Sequence, residues 1–199
     1  LSGGTTIIQG IRSRNQIAVL TDHVLYGMRF TGPPFIFSFS ELGTGCGGIS
    51  QHGGIDMDGI PVWMGHDNFF MFDGRVRRLD CTVRRHVFSD INTDQLDKVY
   101  AGVNSEFKEI TWLYPSADST ECNKYVSWSM EENYWVFGDA IWTTWDDRDI
   151  YDNVVNTGTS IGVTRIYDNE VPDVFTGKGL KIDSFIFLSR LKFSPSEHS

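Results

Sequence analysis

The chain has 199 residues, 40% of them hydrophobic and 14% aromatic, which is enough apolar surface to fill a core and too much for a disordered chain. Its formal net charge is −9, and this argues against a general duplex-DNA binder, because phosphate contacts need clustered Lys and Arg. No apolar run is long enough to span a membrane, and Cys46, Cys81 and Cys122 are too widely spaced for a zinc site or a disulfide framework, so reduced, mostly buried thiols are expected.

In chain order, short strands separated by turns dominate. "QIAVLTD" (16–22) and "HVLYGMRF" (23–30) are β-rich runs that meet at Thr21-Asp22-His23, a junction with turn chemistry. "PFIFSFSEL" (34–42) follows, entered through Gly32-Pro33-Pro34, where two prolines stop any helix. "GIDMDGIPVWMG" (54–65) and "NFFMFDGRVRRL" (68–79) carry Asp58-Gly59 and Asp73-Gly74, the dipeptides that most strongly signal a hairpin. "CTVRRHVFSDI" (81–91) has apolar residues at helical spacing and predicts one short connecting helix, with Thr82 as a candidate cap. "EITWLYPS" (109–116), "KYVSWSMEENYWVFG" (124–138) and "AIWTTWDD" (140–147) resume the strand pattern. Gly162 to Pro172 reads as irregular or edge strand, and "KGLKIDSFIFLSRLKF" (178–193) alternates again, with Phe185, Phe187 and Leu191 facing inward.

The hairpins recur. Runs beginning near Ile17, Ile60 and Ile110 read as the first strands of three units spaced 43 and 50 residues apart, about one four-stranded propeller blade. The expected fold is therefore all-β: propeller-like blades of antiparallel strands with one connecting helix, plus C-terminal strands. Residues 1–147 form the repeat region, with units near 10–45, 46–92 and 97–147. Residues 148–178 form an irregular connection, and 179–199 a C-terminal strand segment. A closed propeller needs at least four blades, so the chain, which opens at Leu1, is expected to be part of a larger propeller.

Several patterns look chemical and are weighed against plainer readings. Gly43-x-Gly45-x-x-Gly48 matches a dinucleotide fingerprint, but no helix follows to hold a pyrophosphate. Asp56-x-Asp58-Gly59 resembles the start of a calcium loop, yet Asp67 stands where the distal Glu should be, and a hairpin turn is favoured. Asp146, Asp147, Asp149 and Asp152 follow an aromatic strand. They are the best candidates for a glycosidase pair, against a solvated loop, the favoured reading, with a metal-ordered loop between the two. Trp142 and Trp145 could stack on sugars, although Trp in a strand more often packs a core. His23, His52, His66, His86 and His198 show no zinc spacing, and Arg75, Arg77, Arg78, Arg84 and Arg85 read as a solvated edge. No catalytic, cofactor-binding or metal-binding residue is assigned, and no enzyme activity is expected.

The ordered set "FTGPPFIFSFSELGTGCGG", "DMDGIPVWMGHDNFFMFDGRVRRLDCTVRRHVFSDIN" and "KVYAGVNSEFKEITWLYPSADSTECNKYVSWSMEENYWVFG" resembles a family of tailed-bacteriophage virion proteins of the structural, tail-hub or DNA-stabilisation kind. "KIDSFIFLSRLKFSP" is similar to the strand that follows the repeats in that family. The resemblance implies a propeller-like structural subunit of the neck or tail, assembled in the host bacterial cytoplasm. It would form a ring of copies that helps to make or seal the DNA channel. Implied partners are further copies, neighbouring neck or tail proteins, and packaged DNA in non-specific proximity, with no membrane; the alternative is a host-adhesion propeller that binds surface glycan. An acidic balance suits a channel wall along which DNA slides without sticking, and lumenal arginines around Arg75–Arg85 would oppose that idea.

Overall fold

The apolar and aromatic runs fold into antiparallel sheets whose strands are neighbours in the same order as they occur in the chain. The computed structural model describes residues 6–140, 142, 144–147, 156–159, 162–165 and 175–176. Sheet 1 comprises β1 (Ile7–Arg12), β2 (Ile17–Thr21), β3 (Val24–Phe30) and β4 (Phe37–Thr44). Sheet 2 comprises β5 (Gly54–Met57), β6 (Ile60–Met64), β7 (Phe69–Phe72) and β8 (Val76–Arg78). After the helix α1 (Arg84–Asp90) and a 3-10 segment (Thr93–Lys98), sheet 3 comprises β9 (Tyr100–Asn104), β10 (Glu109–Tyr114), β11 (Lys124–Ser129) and β12 (Trp135–Asp139). These three sheets lie in one compact unit, Leu1–Ile141. The second unit, Trp142–Ser199, holds a further antiparallel sheet of β13 (Thr144–Asp146), β14 (Asn156–Thr159), β15 (Gly162–Arg165) and β16 (Phe175–Thr176).

Turn chemistry sets the hairpins. Asp58 and Gly59 both have positive φ, at 52° and 81°, as a two-residue hairpin turn requires, and Asp56 accepts the Gly59 N–H at 2.6 Å. The buried Thr21 hydroxyl accepts the Val24 N–H and donates to the Val24 carbonyl, both at 2.9 Å, closing the β2–β3 turn.

Strand periodicity explains how the sheets stack. In β6, Val62 and Met64 enter a core shared with sheet 3, while Trp63 between them enters a core shared with sheet 1. In β7, Phe69 and Met71 go one way, and Phe70 and Phe72 the other. Sheet 2 is thus covered on both faces, so its strands read as unbroken apolar runs rather than alternating ones. Phe69 sits 4.7 Å from Trp112 and 4.8 Å from Trp135 between ring centroids, close enough for edge and face contacts that add to burial. α1 contributes Val87 to the same core.

The all-β expectation holds at the level of antiparallel four-stranded sheets with little helix. Four details differ from the sequence reading. Ile17, Ile60 and Ile110 open or lie in β2, β6 and β10, the second strand of each sheet and not the first. The true first strands β1, β5 and β9 each carry a glycine, which weakens their sequence signal. The helix is shorter than predicted, and its N-terminus is at Val83 with no side-chain cap, so Thr82 does not cap it. β4 begins at Phe37, three residues later than the run "PFIFSFSEL", and continues through Gly43. The segment 148–178, read as an irregular connection, includes the three short strands β14, β15 and β16. The strand expected over 178–193 lies outside the described residues.

Candidate functional site

Sheet 1 presents its two faces differently. Ala18, Leu20 and Leu25 are buried towards sheet 2, with Leu42 packed against them. Val19, Val24, Tyr26 and Met28 form a separate cluster. Tyr26, Met28 and Phe30 share one face by the two-residue period of β3. Register adds Phe39, which lies opposite Met28, and Phe37, which lies opposite Phe30. The apolar stripe becomes exposed as it runs outward: Phe30 is 73% accessible, Phe37 51% and Phe39 53%. The Phe30 and Phe37 rings meet edge to face at 6.0 Å. Phe35 and Ile36 in the β3–β4 connection are exposed as well.

β4 is the outer strand of its sheet and, among the described strands, pairs with β3 alone. "FIFSFS" (35–40) carries no charge, and Glu41, two residues beyond Phe39, is the single charged residue of β4. Exposed aromatic surface of this kind is general to sites of contact with protein, membrane or ligand. The sequence shows the aromatics but not their exposure, because Phe at alternate positions of a strand ordinarily predicts burial.

The glycine motif after β4 is used for packing. Gly43 belongs to β4, and Gly45 has φ of 66° where the chain leaves the sheet. The Cys46 N–H donates to the His23 carbonyl at 3.2 Å and the Gly48 N–H to the Thr21 carbonyl at 3.0 Å, so these amides are bound to sheet 1. The Trp63 indole donates to the Cys46 carbonyl at 2.7 Å. A Cβ on Gly47 would lie 1.9 Å from the Asp22 carbonyl oxygen, whereas one on Gly48 would sit at an ordinary 3.5 Å. The tightest position is therefore Gly47, outside the fingerprint and set against backbone; within it, Gly43 is crowded by a side chain, with a Cβ there 2.6 Å from Val76 Cγ2.

The other sequence candidates are dispersed. Asp58 forms an ion pair with Lys108 across sheets 2 and 3, and Asp67 lies 4.0 Å from Arg84. Arg77 pairs with Asp73 at 2.9 Å, and the Arg78 guanidinium lies 5.9 Å from the Phe70 ring centroid. Arg77 and Arg78 lie on β8, Arg84 and Arg85 on α1. His23 is 3.8 Å from Asp22, His52 packs on Tyr100 at 5.8 Å, His86 on Phe137 at 4.3 Å, and His66 is exposed in the β6–β7 turn. Asp146 ends β13, and Trp142 meets Trp145 at 6.0 Å. Asp149, Asp152 and His198 lie outside the described residues. Among the described residues, no three His, Cys, Asp or Glu side chains converge as metal ligands. The three thiols are free; burial is the main cause of the raised pKa of Cys46, and it pushes Cys81 and Cys122 up to about 11.

No family model matches the chain, and no curated protein matches it. Among the described residues, no helix is long and apolar enough to cross a membrane. The exposed aromatic side chains of sheet 1, Phe30, Phe37 and Phe39, lie on its open edge pair, β3 and β4.

Proposed function

We propose that this chain is a structural subunit of a tailed-phage virion, a neck or tail-hub component that assembles as a ring around the DNA channel and performs no catalysis. In this reading the stacked sheets are successive blades of a propeller-like body, and the protein is assembled in the host bacterial cytoplasm. The observation that carries it is the combination, in one unit, of stacked four-stranded sheets and the exposed aromatic edge β4. The first strands are neighbours in space, β1 beside β5 and β5 beside β9, and His52 bridges Tyr100 in parallel, as inner strands of consecutive blades would. A ring needs large contacts between identical subunits, and Phe30, Phe37 and Phe39 offer apolar area for them. Arg77 and Arg78 sit on β8, at the opposite edge of sheet 2 from β5, which agrees with a channel bordered by the first strands and free of that arginine cluster.

Mass measurement and negative-stain imaging of the full-length chain test the reading. Closed rings of several copies are expected. A chain that remains monomeric at high concentration, with no ring in images, overturns it.

A further inference from the structure

Between sheets 1 and 2, a cleft of about 320 Å³ opens among three hairpin turns: Ser13–Gln16 after β1, Gly59 after β5, and Asp73-Gly74 after β7. Leu42, Ile60 and Phe72 supply apolar walls, and Arg14, Gln16 and Arg29 supply the polar ones. This is about the lower end of the range for small-ligand sites, which combine an apolar body with a few convergent polar groups.

The cleft is built with care for its side chains. Arg14 crosses the Gly59 turn so closely that a Cβ there would lie 2.6 Å from Arg14 Cγ. The Gln16 amide lies over Gly27, where a Cβ would lie 2.6 Å from its Oε1. The Gln16 Oε1 in turn accepts the Arg29 Nε–H at 2.9 Å. That bond orients the guanidinium without neutralising it, because the acceptor is an uncharged amide. Ser13 Oγ and the Arg14 N–H both donate to the Gly59 carbonyl, at 3.3 and 3.2 Å, and hold the turns together.

Charge then selects the ligand. Asp73 also lines the cleft, but its carboxylate is taken by Arg77 at 2.9 Å. Neither Arg14 nor Arg29 has a carboxylate within ion-pair distance among the described residues. In a chain of net charge −9, two guanidiniums that no described carboxylate pairs, at one cleft, suit an outside anion. We infer that the cleft binds the oxyanion of a small ligand of sugar size, a sugar acid or a sugar phosphate, with Arg14 and Arg29 on the anion and the Leu42–Ile60–Phe72 wall against its carbon face. The site is independent of ring assembly, and its test reads binding alone.

Isothermal titration calorimetry on the full chain, with glucuronate, glucose phosphate and glucose in separate titrations, decides the matter. At least one of the two acids is expected to bind while glucose does not, and the tighter of the two identifies the source of the oxyanion. R14A and R29A should each weaken that acid about tenfold or more, the loss of one charge-assisted contact. Their thermal melts should match the unsubstituted protein, because both side chains are exposed. Glucose binding as tightly as the acids, no binding by any of the three, or acid binding unchanged in both well-folded variants would each overturn the assignment.

Discussion

The side chain of Gln9 bonds the backbone of Gly54 in both directions, its Nε2 donating to the Gly54 carbonyl at 2.7 Å and its Oε1 accepting the Gly54 N–H at 3.0 Å. A primary amide presents the same donor and acceptor pair as a peptide group, so Gln9 acts as one more rung between the first strands of sheets 1 and 2. Gly54 is buried, and a Cβ there would lie 2.4 Å from Ile11 Cδ1, so the close approach of β1 and β5 depends on glycine at that position. Replacing Gln9 with Ala removes both bonds and leaves two backbone groups unsatisfied beside the core. The expected cost is about 1–3 kcal/mol, read as a lower urea midpoint with an unchanged slope. Gln9→Glu keeps an acceptor for the N–H but turns a carboxylate on the carbonyl, and should not rescue the loss. An unshifted midpoint for Gln9→Ala would mean that the junction is held by apolar packing alone.

The glycines after β4 should separate cleanly on substitution. Gly47→Ala drives a methyl into the Asp22 carbonyl, a backbone atom that cannot swing aside, and the cost is expected at about 3 kcal/mol or more. Gly48→Ala meets Ile8 and Leu20 at ordinary contact distance and should change stability by less than about 1 kcal/mol. Chemical denaturation of the two variants measures the difference. A nucleotide-binding fingerprint would have made Gly48 the sensitive position, so the reverse order of sensitivities would revive that reading.

Those two cases show what the sequence made legible and what it did not. Asp58-Gly59 and Asp73-Gly74 announce their turns because positive φ strongly selects those residue types, and "IPVWM" and "FFMF" announce buried strands by composition. β1 and β9 carry no such turn signal, while β5 is visible only as the first arm of the Asp58-Gly59 hairpin. The Gln9 rung, with partners 45 positions apart, leaves no local pattern at all. Arg14 and Arg29 leave no local pattern either: they are far apart in the chain, and only the pairing of β2 with β3 and the crossing to sheet 2 bring them to one cleft. The arginines that do stand out as a run, Arg75 to Arg85, are divided among the β7–β8 turn, β8 and α1.

Thiol chemistry should be quiet in the folded protein and should set part of its alkaline limit. Burial raises the Cys81 and Cys122 thiols from 9.0 to about 11, because a thiolate loses its hydration there. The folded pKa is above the unfolded one, so the folded state holds these protons more tightly. The resulting contribution to stability is complete below the unfolded value of 9.0 and is lost as pH rises through about 11. Tyr134, whose hydroxyl bonds Glu109 at 2.5 Å and titrates at about 12, extends the same trend upward. Alkylation by iodoacetamide is expected to be slow in the native protein at about pH 8 and to accelerate between about pH 9 and 11, with a parallel fall in melting temperature. Fast native labelling at about pH 8, at the rate seen in urea, would show that these thiols are not shielded.

The aromatic edge predicts a separation of assembly from folding. Phe37 and Phe39 are more than half exposed, so charging them removes little apolar area from the interior. A double Phe37→Lys, Phe39→Lys variant should keep its melting temperature within a few degrees, by about the amount expected for surface changes. On β4 the two lysines replace the exposed apolar surface with charge and should deter any chain that docks there. Sedimentation velocity is expected to show the rings replaced by smaller species. Phe69→Ala is the matched contrast: Phe69 is fully buried between Trp112 and Trp135, and its loss should cost about 3–5 kcal/mol whatever the state of assembly. If the lysine variant instead unfolds like Phe69→Ala, the stripe belongs to the core of the chain. If it folds and still forms rings, subunits meet through another surface and β4 is not the contact.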